Sequence, residues 1–309
     1  MVSLVEQLLA PAITAGREGS LPDPAALEAI SRTLGDDPAI LRGCPPAQLY
    51  PLLTEAICGR RPDLAMQVLH DTGVLAQVLP ELEATVDFSQ EAGRRHKDVW
   101  EHTKTVVWQA VPKPTVRWAA MLHDIGKVPT RRFIEGGGVT FHGHAEVGER
   151  MFLRGPARRI GFPPAEREAI AALIRFHLRP GQYEQSWTDS AVRRFAREVG
   201  PQLDDLLNLS RADITSKRPG RRKRCLQRIS ELSRRIRALQ AEDQKPKPLP
   251  SGLGKVLMSA LGLPPGKQIG QLRASLEALF EAGEIEGGRE PEYYVEQVRA
   301  RGLMERRAD

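Results

Sequence analysis

Apolar positions recur with a helical period along almost the whole chain, and the strict alternation of a half-buried strand is nearly absent. Residues 24–34 and 46–59 read as short helices. Residues 62–71 read as another, with Gly73 just past its end, where a left-handed cap is expected. From His96 to about Asp213 the predicted helices lengthen. They are broken by Pro112 and Pro114, by the turn at Ile125-Gly126-Lys127, and by one credible hairpin, RRFIEGGGVTF, around Gly136-Gly137-Gly138. Residues 221–241 read as a long basic helix, QKPKPLPSG as a Pro-rich linker, and 252–283 with 291–301 as a small helical tail. The pattern predicts an all-α fold without internal repeats. It divides into an N-terminal helical module at 1–88, a core domain with the basic helix at 89–242, and a linker with tail at 243–309.

The stripes that should be apolar carry an anomaly. On the helix starting near Lys97, Val99, His102, Thr103 and Val106 follow the i, i+3, i+4, i+7 template of a buried face. The next helix gives Val116, Ala119, Ala120 and His123, and ends at Asp124, whose carboxylate can turn to the same spot. The template recurs with His144, Val147, Gly148 and Met151, then with Ile170, Leu173, Ile174 and His177, and finally with Leu206, Leu209, Ser210 and Asp213. Five helices thus present a His or an Asp where the core should be.

An ionised carboxylate is costly to bury unless it is paired or coordinates a metal, and Asp213 has no partner on its own stripe. A shared divalent cation resolves that cost. Imidazole and carboxylate without thiolate suit Mn, Fe, Ni, Co, Zn or Mg, as one ion or two. The alternative is that each His is an ordinary core histidine satisfied by a backbone carbonyl.

Composition narrows the setting. The 309 residues are 41% hydrophobic and 27% charged, ordinary for a globular protein and wrong for a disordered one. Lys and Arg exceed Asp and Glu by 45 to 39, which biases partners toward phosphates or nucleic acid. Cys44, Cys58 and Cys225 are too few and too scattered for a disulfide framework or a thiolate zinc site, so a reducing cytoplasm is expected. No stretch reaches the roughly 18 uninterrupted apolar residues of a membrane span, and Glu6 interrupts the apolar start, so neither export nor membrane insertion is expected.

Other candidate motifs carry less chemistry than the cluster. His70-Asp71 repeats the dipeptide, but it lies in the last turn before Gly73, where a His is favoured by the helix dipole, and reads as structural. Gly252-Leu253-Gly254-Lys255 lacks the upstream Gly and the following Ser or Thr of a phosphate loop, and neither a GxSxG elbow nor a GxGxxG fingerprint occurs. Six of the eight residues from Lys217 to Arg224 are basic: Lys217, Arg218, Arg221, Arg222, Lys223 and Arg224. They suit an RNA backbone. A solvated helix face is the alternative, because no aromatic residue for base stacking lies among them. Pro219 and Gly220 are expected to break the helix there and to hang the run on a loop.

The order HKDVWEHT, MLHDIGK, FHGHAEVG, IRFHL and RAD resembles the signature of the HD superfamily of metal-dependent phosphohydrolases. A closer resemblance is to bacterial CCA-adding enzymes and poly(A) polymerase relatives, whose neck and body are similar to RPDLAMQVLHDTGVLAQVLPEL and whose distal segment is similar to LMSALGLPPGKQIGQL. The likeness covers most of residues 24–300. It implies that His102, His123, Asp124 and Asp213 match the metal-binding set, that His144 and His177 complete a second metal site or contact phosphate, and that Lys127 matches the basic residue after the dipeptide. His142 lies off the stripe that His144 joins. Such enzymes carry a nucleotidyltransferase head, and this chain starts past that point. A free-standing HD hydrolase that adds no nucleotides is therefore expected.

The resemblance also implies 2',3'-cyclic phosphodiesterase and phosphatase activity on nucleotides or RNA ends. The expected chemistry is metal-assisted hydrolysis of a phosphate ester, the cation lowering the pKa of bound water. Asp124 bridges the ions if two are present, and Lys127 neutralises a non-bridging oxygen. Asp124, Lys127, His144 and His177 are thus the expected catalytic residues. Nucleoside monophosphates or dNTPs are the alternative substrates. A non-catalytic module that binds tRNA or another RNA is the competing class.

Overall fold

Ser3 opens α1 (Leu4–Glu18) with a capping box, its hydroxyl accepting from the Glu6 N–H while the Glu6 carboxylate accepts from Ser3 N–H. The hydrophobic pattern does not predict this helix, and Pro11 lies inside it. Its Val5, Leu8, Leu9, Ala12 and Ala15 are buried. The computed structural model describes residues 3–37, 39–88, 98–135, 138–244 and 249–304. His96, the helix start near Lys97, the hairpin tip at Gly136-Gly137 and the linker residues 245–248 lie outside the described residues.

Four of the helices that follow begin at a proline, where a missing N–H is harmless: α2 (Pro24–Asp36), α3 (Pro46–Cys58), α4 (Pro62–Asp71) and, after α5 (Val74–Val78), α6 (Pro80–Glu83). Gly73 has φ 79°, the left-handed conformation expected of it. α1 packs on α3 and α4. These in turn carry α7 (Val99–Gln109) and α8 (Pro114–Leu122). Two buried polar anchors fix α8 on α3. The guanidinium of Arg117 donates to the carbonyl of Ile57 at 3.1 Å and that of Val111 at 3.2 Å, and the Trp118 indole donates to Thr54 Oγ1 at 2.9 Å.

Past α8 come the short α9 (Lys127–Thr130) and a hairpin of β1 (Arg132–Ile134) and β2 (Gly138–Thr140), antiparallel with Phe133 opposite Val139. Among the described residues these are the only strands of an all-α fold. α10 (His144–Arg154), α11 (Pro156–Arg159), α12 (Pro164–Phe176), α13 (Asp189–Val199) and α14 (Leu203–Ala212) complete the set around α8, with α10 on α12 and both α12 and α14 on α8. The core here holds Trp118, Phe152, Leu173, Ile174 and Leu206.

The chain divides into two compact units, residues 1–236 and 237–309, with the boundary inside α15 (Pro219–Gln244). The second unit contains α16 (Leu253–Leu261), α17 (Lys267–Glu281) and α18 (Pro291–Ala300), which bury Leu253, Leu257, Leu276, Tyr294 and Val298 against one another. Among the described residues, no helix is long and apolar enough to cross a membrane.

Candidate metal centre

Helix ends gather the unusual residues of the stripes. His123 follows the last residue of α8, His177 that of α12 and Asp213 that of α14, while His144 is the first residue of α10 and His102 lies inside α7. The last carbonyls of a helix have no partner within it. Each terminal imidazole uses one ring nitrogen to supply that partner: His123 Nδ1 meets the Ala120 carbonyl at 2.8 Å, and His177 Nδ1 the Ile174 carbonyl at 2.7 Å. His144 Nδ1 instead reaches back to the carbonyl of Phe141, just before α10, at 2.8 Å.

A carbonyl can only accept, so these three rings carry their proton on Nδ1. In the neutral ring Nε2 is then a bare lone pair, and in all three it turns inward. His102 joins them with its Nδ1 held by Thr215 Oγ1 at 3.0 Å.

Two groups of three result. His102, His123 and Asp213 form one, and Asp124, His144 and His177 the other, the ligand atoms within each lying within 4.8 Å of one another. The carboxylate of Asp124 stands between them. Its Oδ2 lies 3.2 Å from His123 Nε2 and 3.5 Å from His102 Nε2, and its Oδ1 lies 3.5 Å from His144 Nε2 and 3.9 Å from His177 Nε2. Asp213 Oδ1 is 3.0 Å from His102 Nε2 and 3.6 Å from His123 Nε2. Lys127, the first residue of α9, places Nζ 2.7 Å from Asp124 Oδ2.

Two details show that these residues fit a cation. His123 is only 1% exposed, and its Nε2 is buried with no hydrogen-bond partner, close to two carboxylates but misaligned with both. His144 Nε2 and His177 Nε2 face each other at 3.2 Å, two lone pairs that repel unless something positive lies between them. Two nitrogens bound to one ion at about 2.0–2.1 Å would lie about 2.9 Å apart at a right angle and about 3.3 Å apart at the tetrahedral angle. The observed spacing falls between these values.

Electrostatics agrees with the geometry. Burial opposes charge on His123, but Asp124 and Asp213 outweigh it and lift its pKa to about 10. Burial, reinforced by repulsion from His123, pushes His177 down to about 4 and keeps it neutral. Burial also opposes ionisation of Asp124, yet His123 and Lys127 hold its carboxyl well below the usual range. Asp213 is drawn down against its burial by His102 and His123. Two ionised carboxylates that draw a proton onto buried His123, beside a His177 kept neutral with its Nε2 lone pair, make an environment that stabilises positive charge.

The HD domain family matches residues 85–218, a span that contains both groups of three. The chain contains an HD domain. Along 247 residues, 77% of the chain, it is 32% identical to an A-adding tRNA nucleotidyltransferase of Deinococcus radiodurans, covering 55% of that protein. It is also 33% identical over 237 residues, 74% of the chain, to a CC-adding tRNA nucleotidyltransferase of Thermus thermophilus, covering 51% of it. A multifunctional CCA protein of Pseudomonas paraeruginosa matches at 37% over 95 residues, 29% of the chain and 23% of the relative. The chain spans about half the length of the first two relatives and is homologous to their HD-containing region. HD domains are in general metal-dependent hydrolases, and the His and Asp groups here could hold a divalent ion.

Within the HD domain, every residue that the stripes singled out for metal comes to one place, and Lys127 joins them. His142 is exposed and belongs to neither group. His70 faces Glu83, its Nδ1 3.0 Å from that carboxylate, with Trp100 beside the ring. The basic run Lys217, Arg218, Arg221, Arg222, Lys223 and Arg224 is exposed. Its expected helix break is misplaced, however. α14 ends at Ala212, residues 213–218 are non-helical, and Pro219 with Gly220 begins α15, because proline at a first helical position needs no N–H partner. Arg221 to Arg224 therefore ride on the opening turns of α15, and only Lys217 and Arg218 precede it.

The stripes also missed two supporting residues of the HD site. Thr215, which orients His102, lies in the irregular segment after α14, where a periodic template has no purchase. Gly126 follows the dipeptide so closely under α10 that a Cβ there would lie 2.1 Å from the His144 carbonyl oxygen and 2.6 Å from the Gly148 nitrogen. Only a glycine lets the turn after Asp124 pass beneath the helix start that carries His144.

Proposed function

We propose that this chain is a metal-dependent phosphohydrolase acting on 2',3'-cyclic phosphates of nucleotides or RNA ends. The observation that carries this reading is the Asp124 carboxylate, shared between two groups of imidazole nitrogens, with the cation Lys127 against it. His102, His123 and Asp213 would hold one ion, and Asp124, His144 and His177 a second. A bound divalent ion supplies a Lewis acid for the phosphate and a more acidic water.

The protein's own side chains do the rest. Asp124 and Asp213 balance the charge of the cation. The Nδ1 bonds to the Ala120, Phe141 and Ile174 carbonyls hold three rings in one tautomer, and Thr215 Oγ1 orients the fourth, His102, so little reorganisation is needed at reaction. Lys127 Nζ is positioned to neutralise a non-bridging phosphate oxygen. Overall, water adds to phosphorus, one ester bond to the ribose breaks, and its oxygen takes up a proton, leaving a phosphomonoester and a free hydroxyl.

The likeness to tRNA nucleotidyltransferases favours tRNA as the RNA in question, and three scattered cysteines without a disulfide framework favour a reducing cytoplasm as the place where it is met. We place the neck and body at residues 1–88, the hydrolase with its basic helix at 89–242 and the tail at 243–309. The exposed run from Lys217 to Arg224 supports a second reading, a module that holds RNA and hydrolyses nothing.

A metal-by-substrate screen tests the proposal, with cyclic nucleotides, RNA ends, nucleoside monophosphates and dNTPs offered to protein loaded with Mn, Ni, Co, Fe, Mg or Zn. Hydrolysis of cyclic phosphates above the others is the expected result. Preference for dNTPs or monophosphates would replace the substrate, and metal-independent RNA binding without turnover would establish the second reading.

A further inference from the structure

Phe133 is 69% exposed and its strand neighbour Ile134 is 52% exposed, on a hairpin tied at both ends to the candidate metal centre. Its first strand follows α9, which begins at Lys127, and its second leads through Phe141 into His144. A large apolar ring left in water beside such a site calls for an explanation.

The neighbours of Phe133 supply one. The Arg131 guanidinium lies 5.3 Å from the Phe133 ring centre and 4.2 Å from that of Phe88, so it contacts both rings. Phe88 meets Phe141 at 6.3 Å between centres, and Lys127 Nζ is 5.7 Å from the Phe141 ring. From there Asp124 is 2.7 Å away. Rings and cations thus form a continuous path from open solvent to the carboxylate shared by the two groups of three. Phe88 is seated by a turn at Asp87, which adopts φ 55°, and by the N–H of Val99 donating to the Phe88 carbonyl.

We infer that Phe133, Arg131, Phe88 and Phe141 form a stacking platform for a single-stranded RNA end, leading its terminal phosphate to Lys127 and Asp124. Bases offer a flat face to any aromatic ring or guanidinium plane, and phosphates lie between successive bases, so alternation of rings with cations suits a single strand. A mononucleotide would reach the metal centre without touching Phe133. The platform therefore selects RNA ends over free nucleotides. It takes its chemistry from the function proposed above, but the binding it describes exists with or without catalysis.

The test uses the full chain in the presence of a chelator, so that nothing is cleaved, and a labelled single-stranded oligoribonucleotide read by fluorescence anisotropy. Phe133→Ala should weaken binding about tenfold, within the range that loss of one stacked base produces. Phe133→Trp should restore it, Phe133→Leu should not, and Arg131→Gln should lower the slope of log affinity against log salt by about 0.7. Because Phe133 is exposed, these variants keep the parent's circular dichroism. Equal binding by parent and Phe133→Ala overturns the inference. So does equal binding by the Leu and Trp variants, which would mean a plain apolar patch, and so does self-association of the parent that Phe133→Ala abolishes with no change in RNA binding. If the parent hydrolyses no phosphate ester but Phe133→Ala still loses RNA, the catalytic proposal fails and the platform stands.

Discussion

His70-Asp71 closes α4, and His123-Asp124 follows the last residue of α8, so the same two side chains leave two helices at nearly the same point. Their surroundings could hardly differ more. His70 is partly exposed and directs Nδ1 at the Glu83 carboxylate, and Asp71 is exposed and accepts from Gln67 at 2.7 Å. His123 and Asp124 are 1% and 2% exposed, and His123 directs Nδ1 back at its own helix. A dipeptide is thus not a site in itself. What makes one is the nitrogen left over after local bonding and the number of other helices that aim a lone pair at it. Around His123-Asp124 there are four such helices, α7, α10, α12 and α14. His70-Asp71 belongs to neither group of three.

The most damaging way to break the contrast is to remove the shared carboxylate. With Asp124→Ala, bound metal measured by elemental analysis and hydrolysis of a cyclic phosphate should both fall to background, since one side chain serves both groups and balances their charge. Asp71→Ala, the matching change at the other dipeptide, should alter neither. Retention of full metal and activity by Asp124→Ala would refute the proposed centre.

Next in size is a change that touches no ligand. A methyl group at Gly126 would collide with the backbone of His144 and Gly148, which no rotamer change relieves. Gly126→Ala should cost about 3 kcal/mol in stability and strip the metal as well, because the start of α10 must shift. Gly73→Ala supplies the comparison: the space there is open, but φ is 79°, so a loss of about 1–2 kcal/mol with full metal content is expected. Thermal unfolding of the two variants beside their metal content separates the cases.

A subtler change sharpens the role of the spare nitrogen. Thr215→Val keeps the shape of the side chain and removes the partner of His102 Nδ1. Metal affinity should fall roughly 10- to 100-fold, as is usual when the support of a ligand is lost while the ligand remains. Competition with a chelator of known affinity measures it, and unchanged affinity would mean that His102 needs no orienting partner.

The six residues of the centre were legible because four of them end or begin helices whose apolar stripes point into the core, so a 3.6-residue period finds them. A core histidine satisfied by a carbonyl and a candidate metal ligand are not exclusive readings: in His123, His144 and His177 Nδ1 meets a carbonyl and Nε2 is left facing the site. Less regular parts left no periodic trace. Thr215 sits in irregular chain, Phe88 and Phe133 meet only through tertiary approach, and the role of Gly126 is a distance between backbones. α1 has little periodic signature, because Pro11 interrupts its apolar run and its capping box lies in Ser3 and Glu6 alone. Pro219 reads as a helix breaker in the sequence, but at a first turn proline is a helix starter, and it opens α15.

The smallest effect belongs to His70. Its imidazole interacts with Glu83 at 3.0 Å and lies 5.8 Å from the Trp100 ring centre, both contacts within the packing of α4, α6 and α7. Solvent reaches about a quarter of both side chains, at 28% exposure each, so the contact has little net strength, at most about 1 kcal/mol. The path from His70 to Asp124 is not direct either, since α7 carries Trp100 toward His70 and, two residues later, His102 toward the centre. His70→Ala should therefore lower the midpoint of urea unfolding slightly and leave metal content and hydrolysis at the parent's values. Metal loss in that variant comparable to Asp124→Ala would mean that Trp100 transmits strain along α7 to His102, and the two dipeptides would then have to be treated as one coupled unit.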